Sequence, residues 1–99
     1  MAVFFDPHLI GAVVGTERWT APDDLTIGSV IVTAGSPATG VIDVLMDGVS
    51  ILDAAKADLA GGQFVQVTPA VTAFPALSYL TVNGVSGDTL ALTVQVVFV

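Results

Sequence analysis

The most constraining stretch of this chain is its C-terminal end. Leu90, Leu92, Val94, Val96 and Phe98 alternate with Thr89, Ala91, Thr93, Gln95 and Val97. In an extended strand successive side chains point to opposite sides, so a period of two places the first five on one face. A helix would scatter them around its circumference. The spacing predicts a terminal strand with one face in a core.

The rest of the chain is written in the same residues: β-branched and aromatic side chains, punctuated at short intervals by Gly or Pro. One or two strands are expected within 3–14. Others are expected over Leu25–Thr33, Val41–Met46, 49–52, 63–68 and 79–82. Strict alternation in the first of these sends Ile27 and Ile31 one way and Val30 and Val32 the other. In the second, Ile42, Val44 and Met46 face inward, while Asp43 and Asp47 face water. Asp47-Gly48 reads as a tight hairpin turn, because both residue types tolerate positive φ. Asn83-Gly84 through Gly87-Asp88 reads as the turn into the last strand. Only 53–60 has helical character, with Leu52, Lys56 and Leu59 at spacings of three and four. One or two helical turns or an irregular loop would fit it. The prolines at both ends of 69–75 argue against a central strand there. The pattern predicts an all-β fold, an antiparallel sandwich or barrel of seven or eight short strands with at most one short helix.

A chain of 99 residues and 10.0 kDa is one domain. Hydrophobic residues make up 54% and charged residues 11%, against about 25% charged in ordinary domains. Mean hydropathy is +0.88. Such a chain is not intrinsically disordered. So few charges leave much of the surface to be covered by other protein. The net charge of −7 leaves only Arg18 and Lys56 as cations, which argues against phosphate-rich partners: nucleic acid and anionic membrane surfaces. The absence of cysteine excludes disulfides and thiolate metal sites. Apolar runs are too short for a spanning helix of about 20 residues. Residues 1–7 lack the basic start of a signal peptide, so synthesis in a cytoplasm is expected.

No set of residues states a chemistry. His8 is the single histidine, and a catalytic triad or zinc site would need partners that its apolar neighbourhood does not offer. It reads as a surface or interface residue. Asp23-Asp24, before a strand, reads as a turn whose carboxylates bond nearby backbone N–H groups. Asp43 and Asp47 lie about 13 Å apart along one strand, too far to share a metal ion. No phosphate-cradling glycine loop and no G-x-S-x-G nucleophile turn occurs. The expectation is a protein that is not an enzyme, with no cofactor and no metal. Trp19 suits either a plug at one end of the fold or an interface anchor. Phe4 and Phe5 are adjacent, so both cannot enter one core from a single strand. That makes residues 1–5 a candidate arm.

Two stretches carry a family resemblance. One is Trp19-Thr20-Ala21-Pro22-Asp23-Asp24-Leu25-Thr26-Ile27, followed by Thr39-Gly40, Asp43-Val44 and Asp47-Gly48-Val49-Ser50-Ile51. The other is Gly87-Asp88-Thr89-Leu90-Ala91-Leu92-Thr93-Val94. Together they resemble small β-sandwich structural proteins of tailed bacteriophages. The resemblance covers 15–99, leaving 1–14 as an N-terminal strand or arm; the Ala-rich middle, 54–76, matches nothing in it. It implies a single jelly-roll-like sandwich and a role in the virion. Capsid decoration, or cementing, is the expected role, with the major capsid protein or other virion proteins as partners. It also implies a homo-oligomer, a trimer foremost, on the capsid exterior after assembly in the host cytoplasm. Val3, Phe4, Phe5, His8, Trp19 and Phe74 are the expected interface residues. The alternative is a receptor- or glycan-binding module of a tail or fibre, using Trp19, Tyr79 and Asn83.

Overall fold

The computed structural model describes residues 2–6, 13–14, 19–87, 89 and 92–99. Eleven strands lie among them. Six have four or more residues: β1 (Ala2–Asp6), β4 (Leu25–Thr33), β5 (Val41–Met46), β8 (Phe64–Val67), β10 (Tyr79–Ser86) and β11 (Thr93–Phe98). Five are two-residue bridges: β2 (Val13–Val14), β3 (Trp19–Thr20), β6 (Val49–Ser50), β7 (Ala57–Asp58) and β9 (Ala73–Phe74). They form two sheets. The first runs β2-β1-β11-β4-β8, with β9 also on β4; the second runs β3-β10-β5-β6, with β7 also on β5. The all-β sandwich expected from the sequence is therefore the fold. All pairings are antiparallel except that of β1 with β11, which is parallel, Ala2 opposite Thr93 through Asp6 opposite Val97.

The core lies between the sheets. β4 and β11 contribute Ile27, Val30, Val32, Val94, Val96 and Phe98; β5 and β10 contribute Ile42, Val44, Leu80 and Val82. Ala21, Ile51, Leu52, Ala57, Leu59, Phe74 and Leu92 close the ends and sides. Each large apolar side chain buried this way stabilises the fold by about 1.5–3 kcal/mol relative to exposure. The alternation in β11 holds: Leu92, Val94, Val96 and Phe98 are buried, while Thr93, Gln95 and Val97 are half-buried on the other side. Leu90 lies outside the described residues.

Two expectations are corrected, and an open alternative is decided. First, Ile27 and Ile31 do not share a face. From Thr93–Thr33 to Val97–Ser29 the β11–β4 register is regular, and then Phe98 pairs with Ile27. Gly28 is thus an extra residue, a β-bulge that reverses the alternation upstream of it. Ile27 joins Val30 and Val32 in the core, leaving Ile31 half-buried on the opposite side. Second, Asn83-Gly84 is not a turn. β10 continues to Ser86, with a register shift between Gly84 and Ser86. Gly87 follows directly after β10; its φ is +71° and an added Cβ would collide with the Thr39 carbonyl oxygen and lie 2.8 Å from its carbon. Third, 53–60 is not helical, and no helix occurs among the described residues. Asp53 accepts a bond from Ala55 N–H at 3.1 Å, and Asp58 accepts one from Ala60 N–H at 2.8 Å. Such local bonds offer the backbone an alternative to helix. Lys56 and Ala60 have positive φ, 58° and 52°.

The Asp47-Gly48 hairpin is as expected. Both residues have positive φ, 52° and 83°, the signature of a type I′ turn that matches the twist of the flanking strands.

Candidate functional site

Of the expected interface residues, Val3, Phe4 and Phe5 occupy β1, opposite Val94, Gln95 and Val96 of the same chain. Trp19 occupies β3, opposite Leu80. His8 lies outside the described residues. Phe74 is only 1% exposed and packs edge-to-face on Phe98, with ring centroids 6.3 Å apart and planes at 74°. A ring enclosed in the core offers no surface to a partner. Tyr79 and Asn83 fall on the same strand four residues apart, roughly 13 Å at 3.3 Å per residue. They do not converge on one small ligand.

The structure instead draws attention to the end of the sandwich that carries the hairpin. Leu77 there is 79% exposed and has φ of +69°. A β-carbon-bearing residue in the left-handed region costs about 1–2 kcal/mol. The exposed leucine side chain contributes little burial to offset that cost. The turn is nonetheless fixed from both sides. Leu77 N–H donates to Ala21 O at 2.9 Å, Ala21 N–H to Ser78 O at 3.0 Å, and Ser78 N–H to Pro75 O at 3.1 Å. Ala76 N–H donates to Asp24 Oδ1 at 2.8 Å. Asp24 thus plays the turn-bonding part expected of it, but toward a segment 52 residues away. Val49, 69% exposed, follows the hairpin that Tyr79 joins to this turn. Leu77 and Val49 are thus exposed apolar side chains on segments that also carry the exposed carboxylates Asp23, Asp24 and Asp47. Strain held at an exposed position is a recognised mark of a functional site.

The second feature is a three-membered polar tie that the sequence did not reveal. Ser50 Oγ donates to Asp43 Oδ1 at 2.6 Å; Lys56 Nζ donates to Ser50 Oγ at 2.8 Å and sits 3.3 Å from Asp43 Oδ2. Asp43 Oδ1 also accepts from Val44 N–H at 2.9 Å. Asp43 was expected to face water alone; its side chain is instead 13% exposed, on a strand with neighbours on both sides. A serine beside a lysine invites comparison with a nucleophile and its base. The hydrogen bonding points elsewhere: an ammonium has only donors, so the hydroxyl proton goes to the carboxylate and not to the amine. The tie fastens the 51–56 loop to β5.

Two open clefts flank the core. One, of about 410 Å³, is lined by 34–39 and Leu92; the other, of about 390 Å³, by Asp24, Leu25, Thr26, Ala73, Phe74 and Pro75. Among the described residues no three His, Asp or Glu side chains are grouped to hold a metal ion. Comparison with protein-family models, with curated proteins and with solved structures finds no match to this chain.

Proposed function

We propose that this chain is a non-enzymatic structural protein of a tailed-bacteriophage virion, a capsid decoration protein that docks on the major capsid protein shell as a homo-oligomer. The observation that carries the reading is Leu77. A large apolar side chain is held out to solvent, at positive φ, by a turn locked through three backbone–backbone hydrogen bonds and one from Ala76 N–H to the Asp24 carboxylate. Docking would remove Leu77 and Val49 from water at about 25 cal/mol per Å² before association costs. A surface with 11% charged residues in the chain favours the same outcome. Mass spectrometry and a cryo-EM map of virions purified from the source lysate test the reading. The expected result is sandwich-shaped density on the capsid exterior. Virions without the chain, or density confined to a tail or fibre tip, would overturn it.

A further inference from the structure

We infer that the edge strand β8 pairs antiparallel with β8 of a second copy, joining two sandwiches through one continuous sheet about a two-fold axis. β8 ends the first sheet. Its register on β4 runs Val67–Val30, Gln66–Ile31, Val65–Val32, Phe64–Thr33, and Ala34 N–H donates to Gln63 O at 2.9 Å. Hydrogen-bonded pairs alternate along an antiparallel ladder, so Gln63, Val65 and Val67 turn their main-chain groups toward β4. Phe64 and Gln66 turn theirs away from it. Both residues are exposed, Phe64 by 60%.

Edge strands are usually protected by shortness, charges, prolines or bulges, and β8, at four residues, has only the first. Charge is missing over a long stretch: no Asp, Glu, Lys, Arg or His occurs between Asp58 and Asp88. In a chain of net charge −7, most surfaces repel a second copy, and this edge is where two copies meet without like charges opposed. The strand is also self-complementary. With Val65 on the axis, Phe64 of each copy lies opposite Gln66 of the other, and their outward N–H and C=O groups form four main-chain bonds. Val65, half-buried on the core side, meets its own copy and continues the core across the axis. Antiparallel self-pairing of one strand closes after two copies, so the assembly is a dimer and not a trimer. None of this depends on the capsid reading.

The test is the solution mass of the full chain over a concentration series, for the parent and three variants. The parent is expected at twice the 10.0 kDa of one chain. Gln66→Pro removes an outward N–H without touching a bond to β4, and Phe64→Glu sets a charge on the edge; both are expected at the single-chain mass with a retained cooperative thermal transition. Phe64→Glu alters only an exposed side chain, so it carries the test should Gln66→Pro unfold. Val65→Cys, in a chain with no other cysteine, is expected to form an inter-chain disulfide on oxidation, since directly opposed residues in such a pair lie within disulfide reach. A parent that stays a single chain at every concentration overturns the inference and leaves the edge to a strand of another protein. An oligomer that persists in folded Phe64→Glu overturns it as well.

Discussion

Asp47 and Tyr79 hold one another through reciprocal hydrogen bonds. Asp47 N–H donates to the Tyr79 carbonyl at 2.9 Å, and Tyr79 N–H donates to Asp47 Oδ1 at 3.0 Å. The hairpin of β5 and β6 is thereby fastened to the first residue of β10, next to the turn that presents Leu77. Asp47 itself has φ of 52°, a region that Asp and Asn occupy more readily than other side chains. Asp47→Ala removes the acceptor and keeps the strained backbone, and is expected to lower stability by about 1–2 kcal/mol. Asp47→Asn keeps both the acceptor and the tolerance, and is expected to stay within about 0.5 kcal/mol of the parent. Urea unfolding of the two variants checks this; equal losses would show that the carboxylate charge, not the bond, matters.

Leu77 separates stability from docking. Leu77→Asn relieves left-handed strain and gives up almost no buried surface. It is expected to raise stability by about 0.5–1 kcal/mol, several degrees in Tm for a domain of this size. Under the proposed function it lowers occupancy on the capsid shell at the same time. Thermal unfolding and co-sedimentation with shells read the two effects. A drop in Tm would mean that the leucine serves the fold.

At Gly87 the backbone requires glycine twice over, by its φ of +71° and by the Thr39 carbonyl against which a Cβ would collide. The obstacle is main chain, so it cannot turn aside. Gly87→Ala is expected to cost about 2–5 kcal/mol from strain and overpacking together. Denaturant unfolding measures it. Gly35→Ala, with open space around the position and no positive φ, is the control and is expected to be near neutral.

Lys56 combines a favourable contact with an unfavourable backbone. Its ammonium bonds Ser50 and Asp43, while its φ is 58°. The side chain is 27% exposed, so the ion pair contributes at the modest level of surface pairs. Lys56→Met is expected to lose about 0.5–1 kcal/mol, and Lys56→Gly less, because glycine releases the left-handed strain. Stability measured at low and high salt distinguishes the causes: the parent should be salt-sensitive and Lys56→Met much less so.

The long elements were legible because their signals were local. Leu25–Thr33 and Val41–Met46 are bounded in sequence by turn residues and appear with those bounds in the structure. The Asp47-Gly48 reversal is spelled by two adjacent residues. What escaped depended on distant partners. Gly28 inside an alternating run is a local mark of a bulge, but alternation alone separates Ile27 from Val30 and Val32, and only the pairing of Val97 and Phe98 shows that it is skipped. Asn83-Gly84 has the composition of a turn, yet pairing with Asp43 and Ile42 keeps it extended. Phe74, between Pro69 and Pro75 in a segment that cannot be a central strand, reads from sequence as core or interface, and its contact with Phe98 is what draws it inside. Leu77 carried no signal, because its conformation is imposed by Ala21 and Asp24.

β11 stands between β1 and β4. β1 can therefore complete its pairing on the β11 side only after the residues between the two strands have been made. During synthesis β1 must wait, unpaired on that side, while some ninety residues follow it. Non-local pairing of this kind folds slowly, on the order of milliseconds to seconds. A waiting N-terminal strand can meet the C-terminal strand of another newly made chain before its own, so the order of synthesis itself favours exchange between copies wherever many are made together.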